Sequence, residues 1–184
     1  MPVLAVLASA ASLIAACDTV ASHPSDPARV APGVAREAID LPAAEATCRT
    51  ALAAAPENAR TAYHLGRVIF YQGRAAEALP YLRRASDAGY AQAAFVLGFV
   101  QTLGQPGIPK DVCAAQDLWR KSVALDHPWS GYYLVEAQMA GTFAPCPRQV
   151  TEAEADRFLA LAAARIGVAD SAGRIETLVA RRKR

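Results

Sequence analysis

The stretch YHLGRVIFYQGRAAEALPYLRRASDAGYAQAAFVLGFVQTLGQPGIPKDVCAAQDLWRKSV, residues 63–123, states one pattern twice. Leu65-Gly66, Gly73, Ala78, Leu82 and Ala85 come first, and Leu97-Gly98, Gly104, Ala115, Trp119 and Ser122 follow. Small and apolar residues at helical spacing, punctuated by glycine stops, describe pairs of helices that approach closely. A helix pair repeated along a chain leaves an apolar face for its neighbour to cover. Such an array is built as a binding surface rather than around a reaction centre.

Working outward, the caps set the helix boundaries. Asp40, with Pro42 in the first turn and Glu45 behind it, opens a helix over 41–55 that Pro56 closes. Asn58 caps a helix reaching Gln72 before Gly73, and a third runs from Ala75 to Ala88 before Gly89, with Pro80 inside it as a source of bending. Tyr90–Leu103 comes next, then a loop over 104–111 and a helix from Val112 to Leu125. Pro128 starts another that ends before Gly141. The loop 142–150 leads to Thr151 and Glu154, a capping box for a helix reaching Ile166, and a last helix covers about 169–181.

The composition agrees with an all-α chain. Hydrophobic residues make up 53% of 184 and charged residues 20%, which is material for one compact domain and a tail. Alanine supplies much of the apolar content, and the alternating, β-branched runs of strands are missing. A net charge of +2 gives no reason to expect nucleic acid as a partner. The basic run Arg181-Arg182-Lys183-Arg184 reads as a solvated helix end.

Tyr63 to Ala85 resembles a tetratricopeptide repeat, with Leu65, Gly66, Gly73, Ala78, Leu82 and Ala85 at that motif's spacing. Ala85 to Val123 resembles the longer Sel-one-like repeat: Gly89, Ala93, Leu97-Gly98, Gly104, the turn Gly107-Ile108-Pro109-Lys110-Asp111, then Ala115 and Trp119. One extra loop residue, and Gln101 where an aromatic is usual, depart from that pattern. Upstream, Ala44, Cys48, Ala51 and Pro56 fit the second helix of a unit whose first helix is absent. Downstream, Leu134, Gly141 and Phe158 echo the repeat, with Val135 in place of Gly98. The resemblance implies a short right-handed α-α superhelix of about seven to eight helices over 40–182, binding another protein or peptide segment as an adaptor or scaffold. In such arrays the first helix of each pair lines the concave face. That selects Tyr63, Arg67, Phe70, Phe95, Phe99, Trp129 and Tyr132 as a candidate peptide groove, with aromatic anchors and one arginine for a carboxylate.

Val3 to Ala16 is an uncharged apolar run of signal-peptide length, short for a membrane span. It meets Leu13-Ile14-Ala15-Ala16-Cys17, which resembles the lipobox of bacterial lipoproteins, although Ile14 stands where leucine is commoner and Met1-Pro2 carries no basic residue. The resemblance implies a leader over 1–16, lipidation of Cys17, a flexible tether over 17–39 and a periplasm-facing protein held on the cell envelope membrane. Asp18 after the cysteine resembles an inner-membrane retention signal. The alternative, a hydrophobic helix belonging to the fold, has against it the Pro- and Ser-rich stretch that follows.

With Cys17 assigned to lipid, Cys48 reads as a small buried hydrophobe. Cys113 starts the helix after the first long loop and Cys146 lies in the second, and successive loops of an array stack along one edge, which suggests a disulfide between them in an oxidising space. No Cys-x-x-Cys pair suggests a metal, and His23, His64 and His127 are scattered. Without a Gly-rich phosphate loop, a nucleophile elbow or a His-Glu-x-x-His, no catalytic residue and no cofactor is expected. A membrane-tethered adaptor is the favoured function, and an enzyme or enzyme-regulatory subunit of the envelope is the alternative.

Overall fold

A computed structural model of the chain describes residues 8–166 and 173–183. Among them the regular structure is helical, apart from a single bridge between Gln105 and Ile108. The chain divides into two compact units, Met1–Ala88 and Gly89–Arg184. The first holds α1 (Ala10–Ala21), a short 3-10 turn (Arg36–Ala38), α2 (Leu41–Ala54), α3 (Ala59–Tyr71) and α4 (Ala75–Asp87). The second holds α5 (Ala91–Leu103), α6 (Val112–Ala124), α7 (Ser130–Met139), α8 (Glu152–Arg165) and α9 (Arg174–Arg182).

The caps act as the sequence indicates. Asp40 Oδ1 accepts from the Ala43 N–H at 3.2 Å, Asn58 Oδ1 from Thr61 at 2.9 Å, and Asp111 Oδ1 from Cys113 and Ala114 at 3.1 and 2.9 Å. Thr151 and Glu154 close their capping box reciprocally. Gly73 and Gly89 take the left-handed conformation that lets the chain leave α3 and α4. Pro80 lies within α4, which is one continuous element. Two ends differ: α7 begins at Ser130 rather than Pro128, and α9 begins at Arg174, the expected start at 169 lying outside the described residues.

Close approach is where glycine counts. A Cβ on Gly66 would stand 2.8 Å from Leu82 Cδ2, and one on Gly98 only 2.1 Å from Trp119 Nε1. The indole fills the space a side chain would need and donates to the Phe95 carbonyl at 3.0 Å. α7 repeats the device in a different register. Its contact glycine is Gly131, whose Cβ would meet the Phe158 carbonyl oxygen at 2.8 Å, while Val135 packs into the core of the second unit.

The N-terminal region departs most from expectation. Ala10–Ala21 forms a helix that packs on α2 and α3, supplying the first helix that the sequence lacked ahead of α2. Burial rises along the helix: residues 8–12 are exposed, Leu13 and Ile14 are half-buried, and Cys17, Asp18 and Ala21 are buried. Cys17 is bonded to Cys48, with sulfurs 2.00 Å apart. One sulfur cannot carry both a disulfide and a lipid thioether, so a Cys17 held in this crosslink is not open to lipidation. Cys48 is accordingly not a free core thiol.

Nor is 17–39 a loose tether. The Val34 N–H donates to the Ser22 carbonyl at 2.8 Å, Asp26 Oδ1 accepts from Ala28 at 2.9 Å, and Gly33 lies so close to Pro24 that a Cβ would come within 2.3 Å. Proline forbids helix there, and the disulfide closes the segment into a loop that packs on itself. In the second unit Cys113 and Cys146 are joined, with sulfurs 2.12 Å apart. No described helix is long and apolar enough to cross a membrane.

Candidate functional site

The seven residues selected by the repeat pattern fall in both units: Tyr63, Arg67 and Phe70 in the first, Phe95, Phe99, Trp129 and Tyr132 in the second. Their circumstances differ.

In the first unit α3 is buried along nearly its whole length, with Phe70 half-buried near its end. Tyr63 is buried, and Arg67 is 4% exposed. Its guanidinium is spent on the chain itself, with Nη1 donating to the Ala21 carbonyl at 2.7 Å, Nη2 to the Val34 carbonyl at 2.8 Å and Nε to the Tyr71 hydroxyl at 3.2 Å. On the expected groove face of α3, Arg67 is thus engaged by the chain's own Ala21 and Val34. Beside it Asp18 receives Arg60 in a two-pronged pair, Nε to Oδ1 at 2.8 Å and Nη2 to Oδ2 at 3.0 Å, and meets His64 Nε2 at 3.1 Å. Burial pushes the Asp18 carboxyl up, but the hydrogen bonds from His64 and Arg60 outweigh it and hold the group below its ordinary value. His23 is pushed down to about 4 by burial, with the charges of Arg67 and His64 adding to it. Asp18, read from the sequence as a sorting signal, is the anion that seats α1.

In the second unit the four residues do come together, around Tyr133. Phe95 and Phe99 meet edge to face with centroids 5.0 Å apart, and Tyr133 lies 4.7 Å from Phe99 and 5.7 Å from Phe95. Trp129 and Tyr132 continue the cluster at 6.3 and 5.2 Å from Tyr133. Phe95, Phe99, Trp129 and Tyr133 are half-buried, and Tyr132 is buried. Arg174 of α9 is exposed and lays its guanidinium over three of these rings, 4.9 Å from Tyr132, 5.3 Å from Trp129 and 5.6 Å from Tyr133. Nη2 also donates to the Tyr133 hydroxyl at 3.3 Å. Among the described residues Arg174 makes no ion pair, so the aromatic rings hold the cation in place while leaving its charge unspent.

Tyr133 and Arg174 escaped the sequence reading. Trp129 and Tyr133 are four residues apart and so share a helix face, a signal that was present. Arg174 arrives from a distant helix, and nothing local marks it.

A second polar array joins α5, α6 and α7. Ser130 Oγ donates to Ser122 Oγ at 2.7 Å and lies 3.1 Å from His127 Nδ1, whose Nε2 is 2.7 Å from Gln92 Oε1. Ser122 Oγ in turn donates to the Ala91 carbonyl at 2.9 Å. All four side chains are buried, and the array ties helices together. No cluster of metal-ligating side chains exists among the described residues.

Over 66 residues the chain is 36% identical to cytochrome c oxidase assembly factor 7 of Xenopus tropicalis and to cytochrome c oxidase assembly factor 7A of Xenopus laevis. Each match takes in 36% of this chain and 29% of the relative, so less than a third of the relatives' length is spanned. No family model matches the chain, and no solved structure gives a significant match.

Proposed function

We propose that this chain is a repeat protein of the tetratricopeptide and Sel-one-like kind, working in an oxidising compartment such as the periplasm, that binds a segment of another protein. On this reading its helix pairs continue one another as a short right-handed superhelix. The observation that carries the reading is the half-buried aromatic cluster of Phe95, Phe99, Trp129 and Tyr133 with an unspent Arg174 above it. Rigid rings offer apolar anchors at small entropic cost, and a guanidinium held in place offers two parallel donors to a carboxylate.

The two disulfides favour export from a reducing cytosol. The partial likeness to proteins named as assembly factors is in keeping with a protein that acts by binding other proteins. Selection from a displayed peptide library tests the reading. Wild-type protein is expected to enrich segments that pair an aromatic or aliphatic residue with a carboxylate, and the double substitution Trp129→Ala, Arg174→Ala to lose them. Identical selections from the two proteins would sink it.

A further inference from the structure

The cleft between α6 and α8 in the second unit holds more positive charge than its surroundings use. Arg120 of α6, Arg148 of the loop before α8, and Arg157 of α8 line it, together with Glu154 and Phe158. Arg120 grips Glu154 with both prongs, Nη1 to Oε1 at 2.6 Å and Nη2 to Oε2 at 3.2 Å, and Nη2 also donates to the Gln149 carbonyl at 3.2 Å. Arg148 Nη2 donates to the same Glu154 Oε1 at 3.1 Å. Arg157 makes no ion pair among the described residues and lies over the Phe158 ring at 5.5 Å, while Arg120 lies over that ring at 5.9 Å. One carboxylate therefore answers three guanidinium groups. Glu154 also accepts from the Thr151 N–H in the capping box, which draws its charge further away from the arginines.

Arg120 is the informative member. Its side chain is only 10% exposed, and its Nε is buried with no hydrogen-bond partner in the protein. A buried guanidinium nitrogen without an acceptor is costly, and an excess of like charge around one aromatic ring adds repulsion that water screens poorly in a cleft. The repulsion is relieved by an incoming oxyanion. The Arg120–Glu154 pair, braced by Phe158, is a fixed floor, while Arg148 and Arg157 are exposed arms able to swing onto a ligand.

We infer that this cleft is a binding site for a doubly charged oxyanion, a phosphate group or a pair of carboxylates. It is independent of the aromatic face on α5 and α7. The three arginines differ in role. Arg148 and Arg157 make the direct contacts, and Arg120 positions the floor and sets the local potential.

Isothermal titration of the purified, oxidised chain with inorganic phosphate, and separately with succinate, at ionic strength held constant with chloride, tests the site. Saturable binding of at least one is expected, and the stronger of the two tells a tetrahedral anion from a planar dicarboxylate. Arg157→Gln should weaken it about tenfold, as expected for one charge-assisted hydrogen bond, and Arg148→Gln should weaken it further. Both positions are exposed, so the melting temperature should not move. Absence of saturable binding by either anion, or equal binding by the Arg148→Gln, Arg157→Gln protein, overturns the proposal.

Discussion

The two units carry the same kind of sequence signal and put it to opposite uses. In Met1–Ala88 the aromatic and the arginine, Tyr63 and Arg67, are both buried, and the guanidinium is exhausted by the Ala21 and Val34 carbonyls and a tyrosine hydroxyl. In Gly89–Arg184 the aromatics stay half-open, and the arginine that joins them comes from α9 with its charge unspent. An arginine among aromatics therefore marks a place where something docks, without saying whether the docking segment belongs to the same chain. The deciding feature is the supply of unpaired carbonyls. Here they come from the last residue of α1, Ala21, and from Val34 in the proline-rich segment that follows, where the ring nitrogens of Pro24, Pro27 and Pro32 supply no N–H donors.

The largest effects should come from the crosslinks. Cys17→Ser and Cys113→Ser are each expected to cost about 2–4 kcal/mol, read as lower melting temperatures under non-reducing conditions. Only the first should also expose Arg67. If Cys17→Ser melts like the wild type, the covering of the first unit does not depend on its crosslink.

Overpacking comes next. Gly66→Leu and Gly98→Leu should each destabilise by ~1–3 kcal/mol in chemical denaturation. Gly98→Leu should be the worse, because it displaces an indole that is hydrogen-bonded to Phe95, whereas Gly66→Leu pushes on the flexible end of Leu82. Equal costs would break the distinction between the two pairs.

The arginines sharpen the comparison directly. Arg67→Ala strands two carbonyl acceptors and should cost about 1–3 kcal/mol of stability while leaving peptide selection unchanged. Arg174→Ala, at an exposed cation–π contact, should cost less than about 1 kcal/mol yet weaken peptide binding. The opposite pattern would place the docking face on α3 instead.

The smallest effect is one of pH. His23 has an ordinary value of 6.5 and is held at about 4 in the folded chain, so the unfolded chain takes up a proton first as pH falls. Stability is complete above pH 6.5 and declines between 6.5 and 4. His23→Gln should flatten that slope. At lower pH both units should weaken together, since Glu45 and Glu154 are each brought from 4.5 to about 2, chiefly by their hydrogen bonds from Arg74 and Arg120. That stability is present above pH 4.5 and is lost as pH falls towards 2. Urea midpoints followed against pH report both steps.

Much of the architecture was legible because helix ends are written locally. Asp40, Asn58, Asp111 and Thr151 mark starts through side-chain acceptors, and Gly73 and Gly89 mark stops through positive φ. The pairing of Cys113 with Cys146 was also within reach, because one starts the helix after the first long loop and the other lies in the second. The packing of α1 was not legible, because an alanine- and leucine-rich run looks the same as a leader and as a helix, and its contacts with Cys48 and Arg60 are made at long range. The same limit explains the candidate site. Trp129 and Tyr132 were found from their own helix, but the cation above them depends on where α9 packs through Ile175 and Leu178, which is a property of the folded unit.

The positions of the two disulfides also bear on how the chain would respond to a protease. The Cys17–Cys48 bond encloses the irregular segment 22–40, and the Cys113–Cys146 bond encloses all of α7 and the turn that follows it. A single cut within either enclosure would leave both fragments covalently attached, detectable by mass only as one added water until a reductant is supplied. Nicked and intact molecules would migrate together on a non-reducing gel, and separate only after the crosslinks are opened.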